Sequence, residues 1–265
     1  MARSRFKPVS TRRLDAARNQ TTWDLDRGSN QRKDKMKTIG LIGGMSWESS
    51  VEYYRIINSM IHSKLGGVHS AKSVMYSVDF GEVEELQRQN RWEQATQLMI
   101  DAARRVEAGG ADFVVICTNT MHKMADQVQA SIQIPLLHIA DATGEQVQRC
   151  GIRRVGLLGT NFTMEGEFYK GRLEQKFGLT VLIPPAAERA LVHRIIYKEL
   201  VVGVIQETSR HQYCAIIEGL VRAGAEGIIL GCTEIGLLVK ANDSAVPLFD
   251  TTQIHAQAAV EYALT

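Results

Sequence analysis

Short apolar runs of about four to six residues alternate with longer amphipathic stretches along most of the chain. This alternation is typical of a parallel sheet whose two faces are covered by helices. The runs predict strands at residues 38–42, 73–78, 113–117, 136–138, 155–158, 180–183, 227–231 and 248–249. The amphipathic stretches predict helices at residues 47–63, 93–107, 168–177, 188–202 and 209–223.

The chain also contains a duplication. ADFVVICTNT at residues 111–120 and AEGIILGCTE at residues 225–234 are two versions of one segment, offset by 114 residues. IGLIGG at residues 39–44 and VGLLGT at residues 155–160 align at an offset of 116. Such a repeat indicates that one structural unit occurs twice. We therefore predict an α/β fold with two doubly wound parallel-sheet units.

Polar segments follow the predicted strands at the end where ligands bind in such sheets, beyond the carboxyl ends of the strands. They are GGMSWESS at residues 43–50, DFGEVEELQRQ at 79–89, CTNTMH at 117–122 and GCTE at 231–234. We expect these four loops, from both halves, to converge on one cleft. Superposing the repeats sets Thr118 against Cys232, Asn119 against Thr233 and Thr120 against Glu234.

Length and composition fit an ordinary globular protein. The 265 residues suggest about two domains, and 45% of them are hydrophobic. No apolar run approaches the length of roughly 18 residues that a membrane span needs, so no membrane partner is expected.

The charge is unevenly distributed. Residues 1–35 carry 10 Lys and Arg against 4 Asp and Glu, while the rest of the chain carries 21 against 25. The main body therefore has no basic excess that would indicate nucleic-acid binding. Residues 1–35 also lack apolar periodicity and precede a second plausible start at Met36, so we predict a disordered extension. Their aspartates count against a transit peptide.

The cysteines and histidines carry no recognised metal or disulfide pattern. The four cysteines include no CxxC pair, and the seven histidines include no HExxH motif. We expect neither a disulfide framework nor a bound metal. Reduced thiols are typical of a cytoplasmic protein, which is the expected location.

Three motifs together resemble those of the cofactor-independent aspartate/glutamate racemase family. They are IGLIGGMSWESS near the start, CTNTMH in the middle and GCTE late in the chain. The resemblance covers residues 36–265 in order and spacing. GGMSWES is a specific motif. Segments similar to CTNTMH and GCTE, by contrast, also occur in related glutamate and hydantoin racemases and in decarboxylases.

The resemblance implies two similar α/β domains related by pseudo-twofold symmetry, with an acidic amino acid bound in the cleft between them. It implies that no cofactor is needed, pyridoxal phosphate included, and it allows a homodimer. The expected domains are residues 36–135 and 136–249, with a C-terminal helix at 250–265 returning to the first domain.

The resemblance also implies an opposed pair of catalytic groups, usually two cysteines. Here the second is Cys232, but Thr118 stands at the first position. Cys117 lies one residue earlier, and strand alternation points it to the opposite face. Racemisation removes the α-proton from one face and returns one to the other, which explains the need for two groups. From the wider superfamily we infer that Cys232 serves the L face and Thr118 the D face.

The two groups differ in their chemistry. A thiol with an ordinary pKa of about 8.5 can be brought close to operating pH by helix N-termini or a neighbouring cation. A threonine hydroxyl does not ionise at such pH, although it can donate or relay a proton. This difference keeps open an enzyme that uses Cys232 as its only acid or base, such as a decarboxylase, isomerase or hydantoin racemase, and a binding protein without turnover.

Other predicted site residues suit an anionic substrate. Amide or hydroxyl donors for carboxylates are expected from Met45, Ser46, Asn119, Thr120 and Thr233. Either Gln87 or Arg88 is expected to contact the side-chain carboxylate. HRIIYKEL at residues 193–200 resembles a family segment that supplies a charged group, which makes Lys198 and His193 candidates. Glu234 is expected to cap a helix if it does not act as a base. His122 is expected either to pack in the core or to support the site.

Overall fold

Eight parallel strands form two four-stranded sheets in the computed structural model, which describes residues 36–265. The predicted disordered extension at residues 1–35 lies outside the described residues. The first sheet contains β1 (Ile39–Gly43), β2 (Ser73–Ser77), β3 (Phe113–Ile116) and β4 (Leu136–Leu137). The second contains β5 (Arg154–Gly159), β6 (Thr180–Leu182), β7 (Gly227–Gly231) and β8 (Leu248–Asp250).

The two sheets have the same strand order, β2-β1-β3-β4 in one and β6-β5-β7-β8 in the other. The repeated segments therefore occupy equivalent places, since β1 matches β5 and β3 matches β7. All six pairings of neighbouring strands are parallel. The predicted α/β class with two doubly wound parallel-sheet domains is confirmed. The CTNT segment follows the carboxyl end of β3, and the GCTE segment begins at the carboxyl end of β7. These two segments are the strand tips.

Helices cover both sheets. The five predicted helices are present with shifted ends, as α1 (Trp47–Leu65), α3 (Trp92–Ala108), α7 (Lys170–Phe177), α8 (Ala186–Lys198) and α9 (Glu207–Arg222). The expected C-terminal helix is α11 (Thr251–Ala263). Further helices are α2 (Phe80–Arg88), α4 (Ala125–Ala130), α5 (Ile139–Arg149), α6 (Asn161–Glu165) and α10 (Ile235–Leu238).

The segment at 79–89 was expected as a loop, and the structure corrects this to helix α2. The Asp79 carboxylate caps the helix by accepting the amide of Gly81 at 3.0 Å. Val83, Leu86 and Gln87 then lie at helical spacing and turn inward. The other residues of the segment are mostly polar, so the helical period of these three buried positions is weak in the sequence.

Two helices are exchanged between the halves. α5 follows β4 of the first sheet, yet Ile139, Ala140 and Val147 pack in the core of the second half. α11 follows β8 of the second sheet, yet Ala259 and Val260 pack with α1 and the first sheet. The predicted boundary at residue 135 would place β4 in the second domain, whereas β4 pairs with β3 of the first sheet.

Three buried histidines lie where the exchanged helices meet. The His122 ring is 4.6 Å from that of His138 and 5.7 Å from that of His255. His255 bonds the Tyr53 hydroxyl at 2.9 Å, and its other nitrogen bonds the Leu137 carbonyl at 2.9 Å. Burial lowers the pKa of both His138 and His255 to about 3, and it lowers the pKa of His122 as well. All three rings are therefore neutral at neutral pH.

None of the helices within residues 36–265 combines the length and apolar character needed to cross a membrane.

The neutral histidines predict an acid-sensitive fold. Below a pH of about 6.5 the histidines of the unfolded chain bind protons, whereas the buried rings of the folded protein stay neutral. The free energy of unfolding should therefore fall from about pH 6.5 toward pH 3. Each histidine contributes a slope of up to about 1.4 kcal/mol per pH unit. His138→Asn keeps a side chain able to cap α5 and should remove about that much of the slope. Urea denaturation between pH 7.5 and 4 measures it.

The matched control is His211→Asn on the surface of α9, where the side chain is 74% exposed. Its slope should equal that of the unmodified protein. An unchanged slope in His138→Asn would show that His138 does not resist protonation in the folded state.

Candidate active site

The loop after β1 is held close to the loop after β2. Gly44 has φ +93°, and a Cβ there would lie 2.1 Å from the Val78 carbonyl oxygen. Only glycine permits both this backbone conformation and this approach. The Gly44 amide donates to Ser50 Oγ at 2.7 Å, which ties the loop to the first turn of α1. Ser46 is thereby placed at the start of α1.

Ser46 and Glu234 join the two halves across the cleft. Ser46 Oγ donates to Glu234 Oε1 at 2.7 Å, and both side chains are only 2% exposed. Ser46 belongs to the loop after β1, and Glu234 belongs to the loop after β7. A hydrogen bond to a buried carboxylate is among the stronger ones in proteins. It fixes the first-half loop against the tip of the second sheet.

A second contact relates to the first by the pseudo-twofold symmetry. Thr120 stands at the position equivalent to Glu234, and Thr160 lies in the loop after β5, which is equivalent to the loop after β1. The Thr120 and Thr160 hydroxyls are 3.0 Å apart, and Thr160 also bonds Thr163 at 3.2 Å. Each strand tip is therefore bonded to the opposite half.

Cys232 is half-buried, and its thiol bonds the same carboxylate. Sγ lies 3.0 Å from Glu234 Oε2, which also accepts the Thr233 hydroxyl at 2.7 Å. Loss of water around the thiol raises its pKa well above the ordinary value, and the adjacent Glu234 raises it further. The group bonded to the Cys232 thiol is therefore a carboxylate rather than a cation.

Thr118 and Cys117 point to different surroundings, as strand alternation predicts. Cys117 is fully buried in the core between the first sheet and α11, and this burial raises its thiol pKa. Thr118 is partly exposed. His122 Nδ1 lies 2.8 Å from the Thr118 carbonyl oxygen, and the Ile139 amide donates to Nε2 at 3.2 Å. Nδ1 therefore carries the proton, and His122 holds the Thr118 backbone.

Two buried amide oxygens near the strand tips lack a hydrogen-bond partner among the described residues, Asn119 Oδ1 and Asn161 Oδ1. Asn119 Nδ2 donates to the Thr251 hydroxyl at 3.0 Å, and Thr251 donates to the Leu230 carbonyl in β7. Asn119 and Asn161 are the chain neighbours of the bonded pair Thr120 and Thr160. An unpartnered buried acceptor is costly, so these oxygens suit a donor such as an ammonium group.

A cavity of about 290 Å³ opens between α2 of the first half and α8 of the second. Its lining consists of Glu84, Gln87, Arg88, Phe162, His193, Arg194, Tyr197 and Lys198. A larger cavity of about 540 Å³ lies between β2, α2 and α3, and its lining includes none of the predicted site residues. The smaller cavity is therefore the one lined by predicted substrate-binding residues, Gln87 and Lys198.

Gln87 and Arg88 face different ways. Gln87 is 5% exposed, its Oε1 accepts the Tyr197 hydroxyl at 2.7 Å, and its Nε2 lies 3.1 Å from Met121 Sδ. Arg88 is 61% exposed and forms an ion pair with Glu85 one turn earlier. Gln87 is thus bonded to the second half, whereas Arg88, which also lines the cavity, is paired within its own helix.

The second-half side of the cavity is supplied by α8. The pKa of Tyr197 is raised by burial and, to a smaller extent, by Cys232. His193 Nδ1 accepts the Asn161 amide at 3.2 Å, and burial lowers the His193 pKa, so the ring is neutral. Lys198 ends α8 and forms none of the ion pairs found within residues 36–265.

Several predicted donors, Ser46 among them, are committed within the protein. The Met45 side chain is buried in the first-half core, so only its backbone can face the cleft. The Thr233 hydroxyl donates to Glu234, so its proton is already used. No group of three His, Cys, Asp or Glu side chains between residues 36 and 265 is arranged to hold a metal ion.

Sequence reasoning missed Thr160, Asn161, Tyr197 and Thr251. Thr160 was within reach, because it ends VGLLGT and aligns with Gly44 of IGLIGG. Tyr197 lies in the segment at 193–200 but was passed over for the charged residues beside it. Asn161 and Thr251 stand in no repeated motif, and only the packing of the two halves brings them to the cleft.

A sequence model of the family described as Asp/Glu/hydantoin racemase matches residues 42–259. Among solved structures, a Yersinia pestis protein assigned as an Asp/Glu racemase is 55% identical, with a TM-score of 0.81. The match covers 87% of this chain and 100% of that one. An aspartate racemase homologue from Pyrococcus horikoshii OT3 is 35% identical, with a TM-score of 0.75, over 86% of this chain and 99% of that one.

A more distant relative is a broad specificity amino-acid racemase from Bacillus subtilis. It is 24% identical over 165 residues, which are 61% of this chain and 69% of the relative.

The hydroxyl pair across the cleft predicts a stability effect. Thr120→Val keeps the side-chain shape but removes the bond to Thr160, so the free energy of unfolding should fall by about 1 kcal/mol. Thr118→Val is the matched control, because the Thr118 hydroxyl bonds no other described residue, and it should change stability by less than about 0.5 kcal/mol. Urea denaturation measures both. Equal effects would contradict the assigned contact.

Proposed function

The chain belongs to the Asp/Glu/hydantoin racemase family, and we propose that it racemises L-aspartate, L-glutamate or both. The family makes it an isomerase that acts on amino acids. In the proposed reaction Cys232 removes the α-proton of the L-substrate, and Thr118 delivers a proton to the opposite face. No cofactor takes part, because hydrogen bonds to the substrate carboxylate make the Cα–H more acidic.

One observation carries the proposal. Thr118 and Cys232 follow equivalent strands, β3 and β7, and hydrogen bonds across the cleft hold the two strand tips against opposite halves. A substrate between these tips would meet one proton-transfer group on each face. Two opposed groups are the requirement for inversion, since a single fixed base returns the proton to the face it came from.

The polar groups of the cleft support an acidic amino acid as substrate. Asn119 Oδ1 and Asn161 Oδ1 are unpartnered acceptors suited to the α-ammonium group. Gln87 and Lys198 line the cavity between the halves and are suited to the side-chain carboxylate. Ser46, Thr120 and the Met45 backbone complete the proposed polar lining. The Yersinia pestis relative, at 55% identity, supports aspartate and glutamate ahead of neutral amino acids.

The first test follows the α-proton. With L-aspartate or L-glutamate in deuterated water, we expect D-product labelled at Cα, detected by chiral chromatography with mass spectrometry. Cys232→Ser should lose nearly all of it, because a serine hydroxyl is too weak an acid to supply the base. Thr118→Ala should lose inversion but keep slow exchange of the L-substrate, since the thiol can return a proton to the same face.

The alternatives give different outcomes. Carbon dioxide release without inversion would support a decarboxylase that uses Cys232 alone. Retained binding without exchange or product would support a binding protein. Loss of inversion in Cys117→Ala, with Thr118→Ala unaffected, would assign the first group to Cys117. A homodimer and a cytoplasmic location stay predictions.

The second test concerns the side-chain carboxylate. Gln87→Ala removes a neutral donor near a charged group, so KM for the preferred substrate should rise by roughly 10- to 100-fold. Arg88→Ala is the matched control on the same helix and should change KM by less than about twofold, because its side chain is exposed and paired with Glu85. Steady-state kinetics measures both. The reverse order of effects would assign the contact to Arg88.

A further inference from the structure

We propose that Glu234 is the proton acceptor for the Cys232 thiol, so that the two side chains act together as the base. The proposal rests on the proposed function for the reaction that the thiolate performs. The transfer within the pair can be tested without that reaction.

The geometry provides a direct path for this proton. Glu234 Oε2 lies 3.0 Å from Cys232 Sγ, a short distance for a thiol donor. Glu234 is the only side chain that bonds Sγ among the described residues. The Ser46 and Thr233 hydroxyls fix both carboxylate oxygens, so Oε2 stays directed at the thiol. Cys232 therefore has a preset acceptor.

The titratable groups around the Glu234 carboxylate are acids rather than cations. The carboxylate is buried and takes part in none of the ion pairs between residues 36 and 265. The Glu234 charge contributes to the raised pKa values of Cys232 and of three tyrosines. These are Tyr53 of α1, Tyr197 of α8 and Tyr213 of α9. Proton transfer from Cys232 to Glu234 moves one negative charge from oxygen to sulfur within the same buried pair, so no ion has to enter or leave the site.

Two further charged groups lie near the helix that follows Glu234, α10. The Asp250 carboxylate lies against Gly236, two residues after Glu234, and the Lys240 ammonium donates to the Gly236 carbonyl at 2.6 Å. Lys240 is thus held by a backbone oxygen and forms no ion pair with Glu234.

The repeat shows that this acceptor is confined to one side. Thr120 holds the position equivalent to Glu234, and its hydroxyl bonds Thr160 rather than a carboxylate. Thr118 therefore has no carboxylate at the place where Cys232 has one. The pairing of residue types is consistent, because a cysteine gains from a proton acceptor while a threonine hydroxyl does not ionise in either case.

The proton balance closes over one turnover. The S–H bond breaks and an O–H bond forms on Glu234, which leaves the thiolate. The thiolate takes the α-proton and reforms S–H while the substrate becomes a carbanion. The Thr118 hydroxyl relays a solvent proton to the opposite face, and Glu234 returns its proton to solvent. One proton enters and one leaves.

The test measures how fast iodoacetamide alkylates Cys232 between pH 6 and pH 8, with each cysteine identified by mass spectrometry. If Glu234 accepts the proton, the pair keeps one proton throughout this range, and the rate at Cys232 should be nearly independent of pH. In Glu234→Gln the thiol must lose its proton to solvent, so the rate should rise about tenfold per pH unit. Exposed Cys150 provides the internal reference for reagent reactivity.

A Ser46 variant separates two roles of Glu234, proton transfer with Cys232 and the hydrogen bond with Ser46 that joins the halves. Ser46→Ala removes the bond to Oε1 but keeps the Thr233 bond that holds Oε2 beside the thiol, so the pH-independent rate should persist. A tenfold rise per pH unit in the unmodified protein would overturn the proposal, and that measurement decides even if Glu234→Gln fails to fold.

The reaction provides a second readout. Glu234→Gln should lower kcat for Cα exchange at pH 7 by about 10²-fold or more, with KM changed by less than about threefold, and kcat should recover as the pH rises. Glu234→Asp should restore part of the loss. A merely repulsive carboxylate predicts the reverse, since its removal would lower the thiol pKa and raise kcat. If the unmodified protein exchanges no α-proton, the proposed function fails while the alkylation profile still tests the pair.

Discussion

The exchange of α5 and α11 between the halves is the constraint on which the cleft depends. Each helix is connected to one sheet and buries its apolar side against the core of the other, so neither core is complete without the partner half. Separating the halves would expose both sets of apolar side chains to water, at a cost that rises with the area exposed. The carboxyl ends of β3 and β7 are therefore held facing one cleft.

Within this frame the site is built from polar groups that are mostly buried. Glu234 accepts bonds from Ser46, Thr233 and Cys232, and each of these bonds offsets part of the cost of removing a carboxylate from water. The Thr120 and Thr160 hydroxyls perform the equivalent task on the other side without any charge. One scaffold thus presents two tips of similar shape and different acid–base character.

This difference has a limit set by thermodynamics. The two enantiomers of an amino acid have equal free energy in water, so the equilibrium constant is one and kcat/KM must match in the two directions. A thiol with a carboxylate acceptor on one face and a hydroxyl on the other can make kcat and KM differ between the two directions, but kcat/KM stays equal in both. The asymmetry of the proposed pair therefore determines how kcat and KM, each taken separately, differ between the L and D substrates.

The sequence by itself determined the strands, their duplication and the residues at their tips, because hydrophobic periodicity and local motifs are properties of neighbouring positions. Helix α2 was missed since its buried stripe is only three residues wide. The exchanged packing of α5, the inward turn of Gln87 and the bond from Ser46 to Glu234 were decided by the tertiary structure alone. Ser46 and Glu234 are 188 positions apart, and no local pattern records which distant group will share a buried site. The same reason applies to Cys232, because burial and the nearby Glu234 raise the pKa of its thiol, and only folding creates both conditions.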